Sequence, residues 1–344
     1  MKKNILFCGT PRFAITSLNS IFDHQKLLRY NLVGVITIPD KVSGRGQKKQ
    51  MSAIKKEAQS KGIKVFEPID LSNNIFINQI KKLKIDLMVV VAFKKLPKIL
   101  FEIPTLGTIN LHASLLPKYR GAAPINWAII NGEKETGLTT FFINDKIDTG
   151  DIILQSKIMI KKDWHADDLH DILMTHSYEI IKDTIQKVLK NQHKRQPQKN
   201  NLSQNVQYAP KIYKDDLVAN NTFWAKNSLL EIYNFIRGMS PPGVRTKWDI
   251  ISKKSDPIEK NIKIIRVSQF KQEASNDSKA NKNIEISIDT SDNTIKIKKL
   301  DKSFLVDKIK TENGKELTGQ EFINGFLKNK KELKTIEISK DKVY

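Results

Sequence analysis

The chain has 344 residues, 39% of them hydrophobic, with 59 Lys and Arg against 37 Asp and Glu, for a formal net charge of +22. That length supports two domains with real cores, and no apolar run approaches the ~18 residues that would span a bilayer as a helix. The single cysteine, Cys8, excludes an intramolecular disulfide and a cysteine-cluster metal site.

The charge excess points to a polyanionic partner. Because 51 of the basic residues are Lys and only 8 are Arg, compositional drift could contribute, and charge placement carries more than charge total. The opening Met-Lys-Lys-Asn-Ile-Leu-Phe-Cys-Gly has the charge of a signal peptide. Its apolar part is too short and Pro11-Arg12 interrupts it, so a cytoplasmic protein is expected.

Ile5–Cys8 reads as a buried first strand, Gly9-Thr-Pro11 as a turn, and Arg12–Phe22 as an amphipathic helix. Cys8 then belongs to strand core rather than to catalysis. Tyr30–Thr37 is a second β-branched strand. This is a Rossmann-like opening, but only Gly9 follows the first strand, so Gly-x-Gly-x-x-Gly is missing and a dinucleotide site is not supported. Pro39–Gln50 reads as a polar loop, and between Lys41 and Lys64 eight basic residues stand against the single acid Glu57. Gly44 and Gly46 let the chain bend around Arg45, which suits an arm reaching a phosphate backbone.

Lys64–Phe66, a helix near Ile75–Leu83, and Asp86–Ala92 continue the strand–helix alternation. Leu87-Met-Val-Val-Val-Ala92 is a continuous apolar run, as in a strand covered on both faces. Then comes Thr108-Ile-Asn-Leu-His-Ala-Ser-Leu-Leu-Pro-Lys-Tyr-Arg-Gly-Ala-Ala-Pro124, with Asp148-Thr-Gly-Asp151 downstream. Asn110 and His112 are two apart in a strand, so both side chains leave the same face. An amide donor beside an imidazole suits a carbonyl that becomes an oxyanion while a proton moves nearby. Pro117 ends the strand, and Arg120–Pro124 forms a tight loop into an apolar helix over Ile125–Ile130.

Gly137–Ile143 and Ile152–Ile158 read as strands, with Asp148 in the connection, at a strand end from which it can reach His112. Asp168–Leu189 is helical, with an apolar stripe. Lys190–Asn201 has almost no apolar content and reads as a basic linker with a solvated His193. Ser228–Arg237 is helical. After Lys247 short β runs dominate, at Ile262–Val267, Ile284–Ile288, Thr294–Ile297 and Phe304–Ile309, before a Gly319–Leu327 helix. Lys271–Lys282 reads as a disordered hairpin insert. Short strands in a basic segment fit a small barrel of the oligonucleotide-binding type.

The string from Thr108, with Asp148, closely resembles the formyltransferase family that uses 10-formyltetrahydrofolate, and within it the members that act on methionyl-tRNA. The resemblance is dense from Phe7 to Gln155 and thin afterwards. It implies an α/β fold: a Rossmann-like formyltransferase domain (1–189), a basic linker (190–207) and a C-terminal OB-like, tRNA-binding domain (208–344). It implies Asn110, His112 and Asp148 as the catalytic set, and Ser114, Leu115, Leu116 and Pro117 as the lining of the folate pocket. In the family, a Gly-Arg-Gly loop engages the acceptor stem of the initiator tRNA, which assigns Lys41, Arg45, Lys48 and Lys49 to tRNA binding. Phe93-Lys-Lys-Leu-Pro97 departs from the commoner Ala-Tyr-Gly pattern of a loop that helps form the folate pocket, and is one residue shorter.

The activity implied is transfer of the formyl group of 10-formyltetrahydrofolate to initiator methionyl-tRNA by direct addition–elimination, without a metal, by a monomer off the membrane. Asn110 donates to the oxyanion, His112 faces the same oxyanion and carries a proton, and Asp148 orients His112 and accepts the amine proton. Two rivals share these residues. One is a formyltransferase for a small amine such as glycinamide ribonucleotide or an amino-sugar nucleotide, for which the basic loop has no obvious use. The other is a non-catalytic nucleic-acid-binding protein on the same fold, which leaves the Asn-His-Asp set unexplained.

Overall fold

The computed structural model describes residues 2–43, 48–198, 207–252, 256–273, 283–289, 292–312, 314–326 and 333–339. The chain divides into two compact units: 1–124, 135–159 and 170–209 form the first, and 125–134, 160–169 and 210–344 the second.

The first unit is built on seven strands: β1 (Lys3–Gly9), β2 (Tyr30–Ile36), β3 (Val65–Phe66), β4 (Leu87–Val91), β5 (Thr108–His112), β6 (Glu135–Phe142) and β7 (Ile152–Met159). Their order in the sheet is β7-β6-β5-β4-β1-β2-β3. The first five run parallel, and β6 is antiparallel to both of its neighbours. Every residue of β4 is buried, as the unbroken apolar run requires of a strand covered on both faces. Helix Asn74–Lys81, capped by the Asn73 side chain, packs Phe76, Ile77 and Ile80 with Leu6, Cys8, Ile36, Phe66 and Met88. Cys8 is wholly enclosed, and burial pushes its thiol pKa up, so it is a core residue. The strand sequence reverses direction between β1 and β4. In such sheets ligands bind in the crevice at the carboxyl ends of the strands beside that switch point.

The polar loop after β2 contains a short antiparallel ribbon, Lys41–Ser43 with Lys48–Gln50. Arg45 and the side chains of Lys41, Lys48 and Lys49 lie outside the described residues, as does most of the expected insert, 274–282. Lys55 does not belong to a free basic arm. It sits on helix Ala53–Ser60 with its ammonium 2.8 Å from Asp40 and 2.9 Å from Glu67, and its side chain is only 12% exposed. Residues 190–198 are anchored as well. Gln196 bridges to Ile152, and His193, expected in solvent, is half-buried with its ring 5.4 Å from that of Phe142.

The second unit contains a closed barrel formed by β8 (Val244–Ser252), β9 (Ile258–Gln272), β10 (Glu285–Asp289), β11 (Thr294–Lys299), β12 (Lys302–Thr311) and β14 (Leu333–Ile338), with β13 (Glu316–Thr318) paired to β12. Pairing of β9 with β12 closes it. Its core includes Trp248, Ile264, Ile295, Phe304 and Phe322. The sequence pattern had not marked β8 as a strand, nor β14. Helix Leu229–Gly238 starts at a capping box of Ser228 and Glu231 and packs Ile232, Tyr233 and Ile236 into that core.

Candidate active site

His112 ends β5 level with Val91 and Ala92 at the end of β4, because Leu111 pairs with Val91 and Asn110 with Val90. Gly9 pairs with Val91 in turn, so the turn after β1 opens at the same level. Thr10 in that turn has a buried hydroxyl without a partner among the described residues. The carboxyl ends beside the switch point therefore gather Thr10, Asn110 and His112.

Asn110 is half-buried, and among the described residues its amide makes no side-chain hydrogen bond, so its donors are uncommitted. His112 is buried, with Nε2 2.8 Å from the Tyr119 carbonyl. A carbonyl can only accept, so the ring carries its proton at Nε2 and the Nδ1 lone pair is the free basic position. Nδ1 faces the Asp148 carboxylate, with Oδ2 3.7 Å away, just beyond hydrogen-bond distance. Nε2 is thus already engaged by Tyr119, and Nδ1 is the nitrogen open to exchange a proton.

Asp148 reaches His112 by folding back. Phe142, the last residue of β6, pairs with Ile109, three residues before His112, so the loop 143–151 departs well below the imidazole. It is shaped by Asn144, whose side chain accepts from Lys146 N–H at 3.0 Å and from the Thr149 hydroxyl at 2.9 Å. Asp148 adopts φ 52°, an uncommon conformation for a residue with a Cβ. Its Oδ2 accepts the Gly121 N–H at 3.0 Å. Gly121 itself has φ 129°, and a Cβ there would run into the Ala209 carbonyl, so only glycine fits. Tyr208–Ala209 pairs with Arg120–Gly121, and the Ala209 carbonyl accepts the N–H groups of Ala122 and Ala123.

The Ser114–Pro117 segment is tied to the sheet by one hydroxyl. Thr139 Oγ1 donates to the Ser114 carbonyl at 2.6 Å and accepts from Leu116 N–H at 3.1 Å and Gln155 Nε2 at 3.0 Å. Gln155 Nε2 also donates to the Leu116 carbonyl at 2.9 Å. The Ser114 hydroxyl donates to the Lys118 carbonyl, and Leu116 packs on Phe141 and Ile152. Thr139, Gln155 and the Tyr119 carbonyl carried no sequence signal, because they act through backbone partners that pattern does not reveal.

Among the described residues, no group of three His, Cys, Asp or Glu is placed to hold a metal ion, and no helix is long and apolar enough to cross a membrane.

Two family models match this chain: Formyl transferase over residues 1–185 and Formyl transferase, C-terminal domain over 222–327. It is 38% identical to the methionyl-tRNA formyltransferase of Clostridioides difficile over 323 residues, covering 93% of this chain and 96% of that one. The chain belongs to the formyl transferase family. It is also 44% identical to the methionyl-tRNA formyltransferase of Flavobacterium johnsoniae over 263 residues, 76% of this chain and 79% of that protein. Among solved structures it resembles the N-formyltransferase of Helicobacter canadensis, crystallised with folinic acid and dTDP-3-aminofucose. The TM-score is 0.61 at 23% identity, covering 89% of this chain and 99% of that one, a likeness of fold. The family matches agree with the two architectures found here, a Rossmann-like unit and a barrel.

Proposed function

We propose that this chain transfers the formyl group of 10-formyltetrahydrofolate to the α-amino group of initiator methionyl-tRNA, as a cytoplasmic monomer. The acceptor reading is supported by near full-length similarity to methionyl-tRNA formyltransferases, which reaches through the basic C-terminal part. A small-amine acceptor has only the fold-level likeness to sugar formyltransferases behind it.

The observation that carries the chemistry is the Asp148–His112–Tyr119 alignment beside the uncommitted amide of Asn110. A neutral amine attacks the formyl carbon, the new C–N bond forms, and the bond from that carbon to the folate nitrogen breaks. Asn110 donates to the formyl oxygen while it carries negative charge. Asp148, held by Gly121 N–H, takes the proton that the attacking amine releases, and His112 Nδ1 relays a proton to the departing nitrogen. The Tyr119 carbonyl fixes the tautomer that leaves Nδ1 free. Ser114–Pro117, held by Thr139 and Gln155, line the folate pocket. Lys41, Arg45, Lys48 and Lys49 meet the phosphate backbone of the acceptor stem, and residues 208–344 form the tRNA-binding domain.

The test supplies 10-formyltetrahydrofolate with charged initiator tRNA, glycinamide ribonucleotide or an amino-sugar nucleotide as acceptor. Formylation of the tRNA alone is expected. Faster turnover of a small amine would overturn the acceptor assignment.

A further inference from the structure

We infer that Gln198, in the first unit beyond the long helix Ala166–Leu189, is a positioning residue for Asp148, acting together with Arg120 as a clamp on the loop 143–151. The inference rests on the catalytic reading of Asp148.

Arg120 is 7% exposed, and its Nε and Nη2 both donate to Gln198 Oε1, at 3.1 and 2.6 Å. The other end of the same amide, Nε2, donates to the Asp148 carbonyl at 3.1 Å and the Gly150 carbonyl at 2.8 Å. A guanidinium only donates and a carbonyl only accepts, so the orientation of the amide is fixed by its partners. The circuit then closes on itself. Arg120 is covalently joined to Gly121, whose N–H holds Asp148 Oδ2. Asp148 is thus gripped at its carboxylate by Gly121 and at its carbonyl by Gln198, while Arg120 links the two grips.

Asp148 needs such a grip. Its φ of 52° persists only where the surroundings over-determine it. The hydrogen bonds within the loop centre on Asn144 and Thr149 and leave the Asp148 carbonyl to Gln198. Of the residue types, Gln fits this position by chemistry: it accepts from a cation at one end and donates to two carbonyls at the other. Glutamate would keep the Arg120 contacts but set an oxygen against both carbonyls, and methionine would keep the length and lose every hydrogen bond.

The experiment uses the full chain, with 10-formyltetrahydrofolate and charged initiator tRNA, comparing wild type, Gln198→Met, Gln198→Glu, Asp148→Ala and Asp148→Ala with Gln198→Met. Gln198→Met and Gln198→Glu should each lower kcat by about 10- to 100-fold, the scale of displacing a reacting group by about 1 Å. KM for the folate should stay within about twofold of wild type. Adding Gln198→Met to Asp148→Ala should cost nothing more, because the clamp acts only through Asp148. A wild-type kcat in both Gln198 variants, with Asp148→Ala strongly impaired but still measurable, overturns the clamp and leaves the site standing. So does a loss that multiplies with that of Asp148→Ala. Near-normal turnover of Asp148→Ala sinks the catalytic reading, and the clamp with it.

Discussion

Replacing Thr139 with valine tests whether one buried hydroxyl holds the Ser114–Pro117 segment in place. Thr139 is fully buried, and its Oγ1 serves the Ser114 carbonyl, the Leu116 N–H and Gln155 Nε2. Valine has nearly the same shape, so no cavity forms and the loss is polar. Gln155 keeps the Leu116 carbonyl, which leaves two groups to lose this partner, the Leu116 N–H and the Ser114 carbonyl. At about 1–3 kcal/mol for each buried group left unsatisfied, Thr139→Val should destabilise the first unit by about 2–6 kcal/mol. At about 2–4 °C per kcal/mol for a unit of this size, the midpoint of its calorimetric transition should fall by roughly 4–24 °C. Below that transition KM for 10-formyltetrahydrofolate should rise several-fold if this segment lines the folate pocket as proposed, because it loses its tether while the His112–Asp148 pair stays in place. A midpoint within about 1 °C of wild type and an unchanged folate KM would refute the reasoning.

If Asn110 is the proposed oxyanion donor, Asn110→Ala should lower kcat by roughly 10²–10³-fold, the scale for losing one such donor. Folate binding, measured by titration, should change little; a turnover close to wild type would remove Asn110 from the mechanism. In the second unit, His165 is buried, its Nε2 accepts the Val267 N–H at 3.2 Å, and burial with Arg266 and Arg237 nearby pushes its pKa down to about 4. The neutral ring therefore contributes stability in full above pH ~6.5, the unfolded value, and that contribution is lost as pH falls toward 4, by about 3 kcal/mol in all. Denaturation curves between pH 7 and 4 should show this slope in wild type, flattened in His165→Gln. Arg45→Ala should reduce the slope of log tRNA affinity against log salt by about 0.7–0.9 if the side chain meets a phosphate. If it reads a base edge, discrimination between initiator and elongator tRNA should drop instead, by about 1–3 kcal/mol; binding and formylation across a salt series measure both.

The alternation of apolar strands and amphipathic helices determined the first unit by itself. Period-2 and unbroken β-branched runs leave little choice for β1, β2 and β4, and the observed strands lie within a few residues of those runs. The two-residue spacing of Asn110 and His112 likewise set them on one face before any tertiary information, because alternation along a strand is local geometry. Local pattern did not reach β8 or β14. Their residues are mixed and polar-rich, and they become strands through pairing with each other and with β9 and β10, which depends on partners far away in the chain.

The site divides the same way. Sequence singled out Asn110, His112 and Asp148 as the proposed catalytic set, but tertiary structure alone decided how Asp148 arrives. Its strand end lies level with Ile109, and the loop must double back to reach His112. The tautomer of His112 was decided by the Tyr119 carbonyl, a backbone atom whose side chain gives no hint of that role. Gln198, in a stretch whose composition reads as linker, gained its place through hydrogen bonds to residues 78, 50 and 48 positions away. Composition reports what a segment can bury, and it is silent on which carbonyl a single amide will find.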